Sequence, residues 1–472
     1  MGGREIRSLL AISLAAAFLL SGCLAAQTAG DEDPVSTGQS LPPERDPTSP
    51  AFKPHVVVAV VDTGNNPYHA EYLEQYDDAH PSEYIPGYPA DVIDLQLSPW
   101  DDASANRATA DDQLWSSTEE GVLYRYPGTK IVGHISFGGA LPGAGHGTMT
   151  ASRATGNTIS VGGAAVRLVV VQGFSEEGVR WAADQPWIDM ISISSGLTST
   201  GGLGPGPANV EGAGAMETFQ YAAHKKPFFA SSGNGFGNAG VLGFPSWLRG
   251  PSGVPDVISV GANENGRMNV WHNFHPYIVG DGCGNPSAQD NSADAVENTG
   301  GGTSSATPFS AGTGAALLLE ARRLLGDANV GVRYAEQPVK SFSEWDSRSP
   351  ADATIIMAQG DPSLHGITSG PLSDGVFTAQ EFKDVLFHTA ISGGTDDASD
   401  GTDCELTARG TIPGDQVPEP VRQQYNGYGE VNALSLEAAM PVLNGEQANP
   451  ERPDDDTWFA YFHQLKSATM PP

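Results

Sequence analysis

Six runs of β-branched and small apolar residues punctuate the first two thirds of the chain: His55–Val61, Lys130–Val132, Val166–Val171, Ile188–Ser194, Pro227–Ala230 and Val257–Val260. The strongest of these show no polar alternation. An unbroken apolar run of this length predicts a strand buried on both faces of a parallel sheet. Residues Met216–His224, Pro308–Leu325 and Thr378–Thr389 carry helical patterns. The second of these is apolar all round in its first half and has a charged face in its second, so it is expected to run from the core outward. Strands that alternate with helices predict an α/β fold: a doubly wound, mostly parallel sheet with helices on both faces.

Between these elements lie polar stretches. Leu24–Pro50 is rich in Pro, Ser, Thr, Asp and Gly and predicts a flexible tether. Asn66–Pro127 and Gly326–Gly375 are read as long loops or insertions. The end of the chain is acidic through Glu451, Asp454, Asp455 and Asp456, with Trp458, Phe459, Tyr461 and Phe462 expected to dock it. No internal repeat occurs. The expected division is an export segment over 1–22, a tether over 23–50, one α/β domain over 51–445 and an acidic tail over 446–472.

The first segment joins Arg4 and Arg7 to the apolar stretch Leu9–Leu20, the pattern of an export signal and too short for a comfortable membrane span. It runs into Leu20-Ser21-Gly22-Cys23, which resembles a lipobox. That resemblance implies cleavage before Cys23 and lipid on its thiol, an extracytoplasmic location at the cell envelope, and the membrane as a partner. The other reading is an ordinary cleavage near Ala25 or Ala26. Two further cysteines, Cys283 and Cys404, offer an exported chain either one disulfide or two separate thiols.

The chain has 472 residues, 39% of them hydrophobic, enough for a sizeable core. The 56 acids against 24 bases give a net charge of -32, which repels nucleic acid. That disfavours a nucleic-acid role.

Three short motifs then carry chemistry. Asp62-Thr63-Gly64 follows directly on the first apolar run, placing an acid at the functional rim of an open sheet. Gly145-His146-Gly147-Thr148 opens a helix of small residues. Gly302-Thr303-Ser304-Ser305-Ala306-Thr307-Pro308 puts a serine where helix amides favour a developing anion. An acid, a histidine and a serine in this order match one known triad arrangement. A serine hydroxyl needs an imidazole to take its proton, and the imidazole needs a carboxylate to fix its tautomer. Ser232-Gly233-Asn234-Gly235 offers a side-chain amide on a turn, a donor for an oxyanion.

These motifs, in this order, resemble those of the subtilases, over roughly residues 55 to 440. The resemblance implies a subtilisin-like fold and a serine endopeptidase, with Asp62, His146 and Ser304 as catalytic residues and Asn234 in the oxyanion hole. It implies peptide binding at Ser195, Gly196, Leu197, Gly233 and Gly243. The pocket with Gly243 at its base is expected to take a large apolar side chain. The turn around Asn234 carries one residue more than the family's, and Leu24–Pro50 is short for the usual folding-assistant propeptide. Subtilases often bind calcium in loops. Here Asp101, Asp102, Asp111 and Asp112 lie in the first insertion without EF-hand spacing, so a solvated acidic loop is the plainer reading, and no cofactor is required. His272 and His275 are three apart but complete no metal set.

Two other functions fit parts of the pattern. A peptide-binding module of the same fold would be expected to lose a triad member or the oxyanion Asn. The serine motif also resembles that of the sedolisins, which are acid peptidases with Glu and Asp in place of the His. An α/β-hydrolase is excluded by the absence of a Gly-x-Ser-x-Gly elbow.

Overall fold

The computed structural model describes residues 55–73, 79–97, 118–137, 145–194, 213–234, 256–264, 267–269, 276–282, 286–298, 301–326, 333–334, 355–391, 411–412 and 427–450. The first strand, β1, is Val56–Asp62, and every one of its residues is buried. It is followed by β2 (Ile131–Ser136), α1 (Gly145–Thr155), β3 (Val166–Gln172), α2 (Glu176–Asp184), β4 (Met190–Ile193), α3 (Ala213–Lys225), β5 (Phe228–Ser231), β6 (Ile258–Glu264), β7 (Ile278–Asp281) and α4 (Thr303–Leu325). Beyond them come α5 (Ala379–His388) and α6 (Ala433–Leu443).

The main sheet has eleven strands among the described residues, and its parallel centre reads β2-β3-β1-β4-β5-β6, with β7 also paired to β6. β1 is flanked by β3 on one side (Val56↔Val166 to Asp62↔Gln172) and by β4 on the other (Val58↔Met190 to Val61↔Ile193). The chain therefore winds outward in both directions from β1. The carboxyl end of that strand, where Asp62 stands, is a topological switch point, the place where an open α/β sheet leaves a crevice.

Both faces of β1 are covered, as the unbroken apolar run predicts. Val56, Val58 and Val60 pack with Ala151 and Ala154 of α1 and with Leu317 and Leu318 of α4. Val57, Ala59 and Val61 pack with Val179 and Ala182 of α2 and Phe219 of α3. Odd and even positions of one strand thus feed two separate cores. The strand expectations hold to within a few residues.

The long helix differs from its expectation. It starts at Thr303, ahead of Pro308, and ends where Gly326 adopts a left-handed φ of 77° and returns its N–H to the Arg322 carbonyl. Pro308 lies inside the helix, so its missing N–H falls on Ser304, four residues earlier. The two stretches read as insertions hold structure of their own. Ile93–Asp94 pairs with Tyr124–Arg125 at one edge of the main sheet, and Ile355–Gln359 pairs with Arg333–Tyr334 and Val376–Thr378 in a small antiparallel sheet.

At the opposite end of the sheet from Asp62, the Asp189 carboxylate takes two bonds from Arg322 (2.6 and 3.0 Å) and one from the Val57 N–H (2.8 Å). Arg322 also donates to the carbonyls of His55 (2.6 Å) and Met357 (3.1 Å). This fully buried pair ties the start of β1 to α4 and to the small sheet. Removing one partner strands the other charge in the core. Asp189→Ala is expected to cost about 3–5 kcal/mol of unfolding free energy, and Asp189→Ala with Arg322→Met less than the sum of the single changes. Urea denaturation of the four proteins checks both.

Candidate active site

Three elements converge at the switch point. Asp62 ends β1 and is 1% exposed. A carboxylate taken out of water needs donors, and it has three. Its Oδ1 accepts from the Thr63 N–H at 2.7 Å and from His146 Nδ1 at 2.8 Å, and its Oδ2 accepts from Thr150 Oγ1 at 3.0 Å. Two of the three donors belong to α1, so the carboxylate pins the start of that helix to the end of β1.

The approach is close enough to exclude any side chain at Gly147. A Cβ there would lie 1.8 Å from the Gly64 carbonyl oxygen. The contact is reinforced by Gly147 N–H to Thr63 Oγ1 (3.2 Å) and Asn66 N–H to Thr148 Oγ1 (2.8 Å). The glycine that follows His146 in the motif is therefore a packing requirement of the Asp–His contact.

The His146 imidazole is partly exposed and reaches Asp62 through Nδ1. With that nitrogen protonated, Nε2 is left as the basic atom and faces no hydrogen-bond partner among the described residues. Burial pushes the imidazole pKa down, whereas the hydrogen bond to Asp62 and its negative charge push it up; the net direction is up.

Ser304 is the second residue of α4, where the backbone N–H groups have no partner within the helix. Its Oγ donates to the Ser194 carbonyl at 3.1 Å rather than to His146. The hydroxyl must therefore turn before the imidazole can take its proton.

Asn234 lies on the turn after β5. Its Oδ1 accepts from the Thr303 N–H and from Thr303 Oγ1, both at 3.0 Å, and Thr303 Oγ1 also accepts from the Gly233 N–H at 3.2 Å. These bonds occupy Oδ1 and leave Nδ2 as the donor of the amide. Thr303 is a functional residue that sequence reasoning passed over. Its place next to Ser304 was the available signal, but a hydroxyl beside a nucleophile gives no hint that it locks an amide 69 positions away. Gly302, with φ of 84°, is also demanded here: a Cβ would lie 2.7 Å from Asn234 Nδ2. The arrangement brings an Asp–His pair, a serine and two N–H donors, Asn234 Nδ2 and the Ser304 amide, to the ends of β1, β4 and β5. This set is suited to acyl transfer.

The other residues singled out from the sequence, Ser195, Gly196, Leu197, Gly243, Cys23, Cys283, Cys404, the acidic group Asp101, Asp102, Asp111 and Asp112, and His272 and His275, lie outside the described residues. Among the described residues, no group of three or more His, Cys, Asp or Glu side chains could hold a metal ion, and no helix is long and apolar enough to cross a membrane.

A model of the subtilase family matches residues 53–334. No curated protein matches. Among solved structures, the prenylagaramide maturation protease PagA shares 16% identity, with 82% of this chain and 94% of that one covered and a TM-score of 0.39. The epidermin leader peptide processing serine protease of Staphylococcus aureus shares 13% over 89% of each chain, with a TM-score of 0.42. A cold adapted subtilisin-like serine proteinase shares 19%, covering 57% of this chain and 77% of that one, with a TM-score of 0.34.

The Asp62 contact has a direct titration signature. The imidazole midpoint of His146, followed by NMR, is expected above the ordinary value of about 6.5. In Asp62→Asn the upward influence goes and burial is left, so the midpoint should drop below that value. An unchanged midpoint would contradict the contact.

Proposed function

The chain belongs to the subtilase family, and from that membership we propose that it is an active serine endopeptidase working through an acyl-enzyme. The observation that carries the reading is the 2.8 Å bond from His146 Nδ1 to the buried Asp62, which leaves Nε2 as the basic atom of the imidazole. Ser304 is the nucleophile. Its hydroxyl leaves the Ser194 carbonyl, gives its proton to His146 Nε2, and Oγ adds to the scissile carbonyl. Charge moves onto the carbonyl oxygen, where Asn234 Nδ2 and the Ser304 N–H donate to it. His146, now charged and steadied by Asp62, returns the proton to the leaving amine. Water then repeats the sequence on the acyl-enzyme and frees Ser304. None of these steps asks for a cofactor. An extended polypeptide substrate lies along the chain that continues from β4 through Ser195–Leu197, with Gly233 and Gly243 at the subsites.

The test is peptide hydrolysis by the wild type and by Ser304→Ala, followed from pH 5 to 9. Activity of the wild type is expected to rise as His146 loses its proton and to level off above its raised midpoint. Ser304→Ala should lose at least about 10³-fold in kcat while unfolding at the same temperature. Hydrolysis that survives Ser304→Ala, or that occurs only at acid pH, would overturn the reading; the second result is what a sedolisin-like enzyme would give.

We also propose that the protein is exported and held at the membrane by lipid on Cys23. The support is the export signal over residues 1–22 and its Leu20-Ser-Gly-Cys23 ending. Expressed in a host that processes lipoproteins, the wild type should partition into detergent and Cys23→Ala into water. Aqueous partitioning of both would refute the anchor.

A further inference from the structure

Ser194 is the residue just past the end of β4, whose pairing with β1 and β5 stops at Ile193. It is 5% exposed, and it makes two reciprocal bonds with Ser304. Ser304 Oγ donates to the Ser194 carbonyl at 3.1 Å, and Ser194 Oγ donates to the Ser304 carbonyl at 2.9 Å.

The second bond answers a specific deficit. In an α-helix the carbonyl of Ser304 would accept from the N–H four residues on. That residue is Pro308, which lies inside α4 and has no N–H. The carbonyl of Ser304 would then stand without a partner at a mostly buried site, a costly arrangement. The Ser194 hydroxyl takes the place of the missing N–H.

We propose that Ser194 is a positioning residue for the nucleophile: its hydroxyl supplies the hydrogen bond that Pro308 withholds and so fixes the main chain of Ser304 against His146 and the oxyanion donors. This rests on the reading of Ser304 as nucleophile. Small displacements of a reacting atom cost rate steeply, so the loss of this bond acts on kcat through Ser304 without removing a substrate contact.

Five proteins test it: the wild type, Ser194→Ala, Pro308→Ala, the double variant of these two changes, and Ser194→Thr. Ser194→Ala is expected to lower kcat about tenfold, the worth of one buried hydrogen bond, with KM within about twofold. In the Pro308→Ala background an N–H is restored to the Ser304 carbonyl, so the same Ser194→Ala change should lower kcat less than about twofold. Ser194→Thr, which keeps the hydroxyl, should retain most of the activity. The melting temperatures should show the same coupling, and the double-mutant cycle cancels the chain-entropy effect of replacing a proline. A loss of kcat and of melting temperature as large in the Pro308→Ala background as in the wild type would overturn the proposal. A wild type that hydrolyses nothing would instead count against the peptidase reading, and the coupling in melting temperature would still decide whether Ser194 replaces the N–H that Pro308 lacks.

Discussion

The buried carboxylate of Asp62 is the constraint around which the site is organised. An ionised group at 1% exposure survives only with donors around it, and its donors come from its own turn and from α1. Satisfying that charge brings His146 to the end of β1, sets the tautomer of its imidazole, and forces the helix so near the turn that position 147 has no room for a side chain. The geometry of the base is thus a by-product of neutralising the acid. The sheet supplies the other half: β1, covered by two cores and laddered on both edges, holds Asp62 at the switch point with little freedom to move.

The serine side is built on a different principle, the unpaired backbone groups of a helix end. The first amides of α4 need partners. Asn234 Oδ1 takes the Thr303 N–H, and this leaves Nδ2 as the donor of the amide. Further along, Pro308 leaves the carbonyl of Ser304 open, and the end of β4 closes it through Ser194. One helix terminus thereby links the strand ends of β4 and β5. Among the described residues, Asp62 at the end of β1 and the nucleophile are fixed by separate sets of side-chain hydrogen bonds.

Much of this was legible in the chain. The apolar run of β1 announces a doubly covered strand because burial on both faces removes any need for polar alternation, and the acid that breaks the run marks where the strand leaves the core. The glycine after His146 and the one before Thr303 mark close approach. What the pattern could not convey was pairwise and long-range. The helical pattern is plain only from Pro308 to Leu325, whereas the helix begins at Thr303, next to the serine expected at its start, and the proline sits inside it at the cost of one bond. Thr303 and Ser194 look like ordinary small polar residues until folding sets them against Asn234 and Ser304. The Asp189–Arg322 pair is likewise invisible, because its members stand in unremarkable contexts far apart and only the crossover of α4 behind the sheet joins them.

The central claim is that His146 and Asp62 make the Ser304 hydroxyl a nucleophile at the rim of the sheet. The most direct measurement is reaction of the folded protein with a fluorophosphonate, followed by mapping of the modified peptide. The account predicts one phosphonyl group per chain, on Ser304, added at a rate that rises with pH through the titration of His146 and collapses in His146→Ala. Modification at another serine, or an equal rate in His146→Ala, would contradict it.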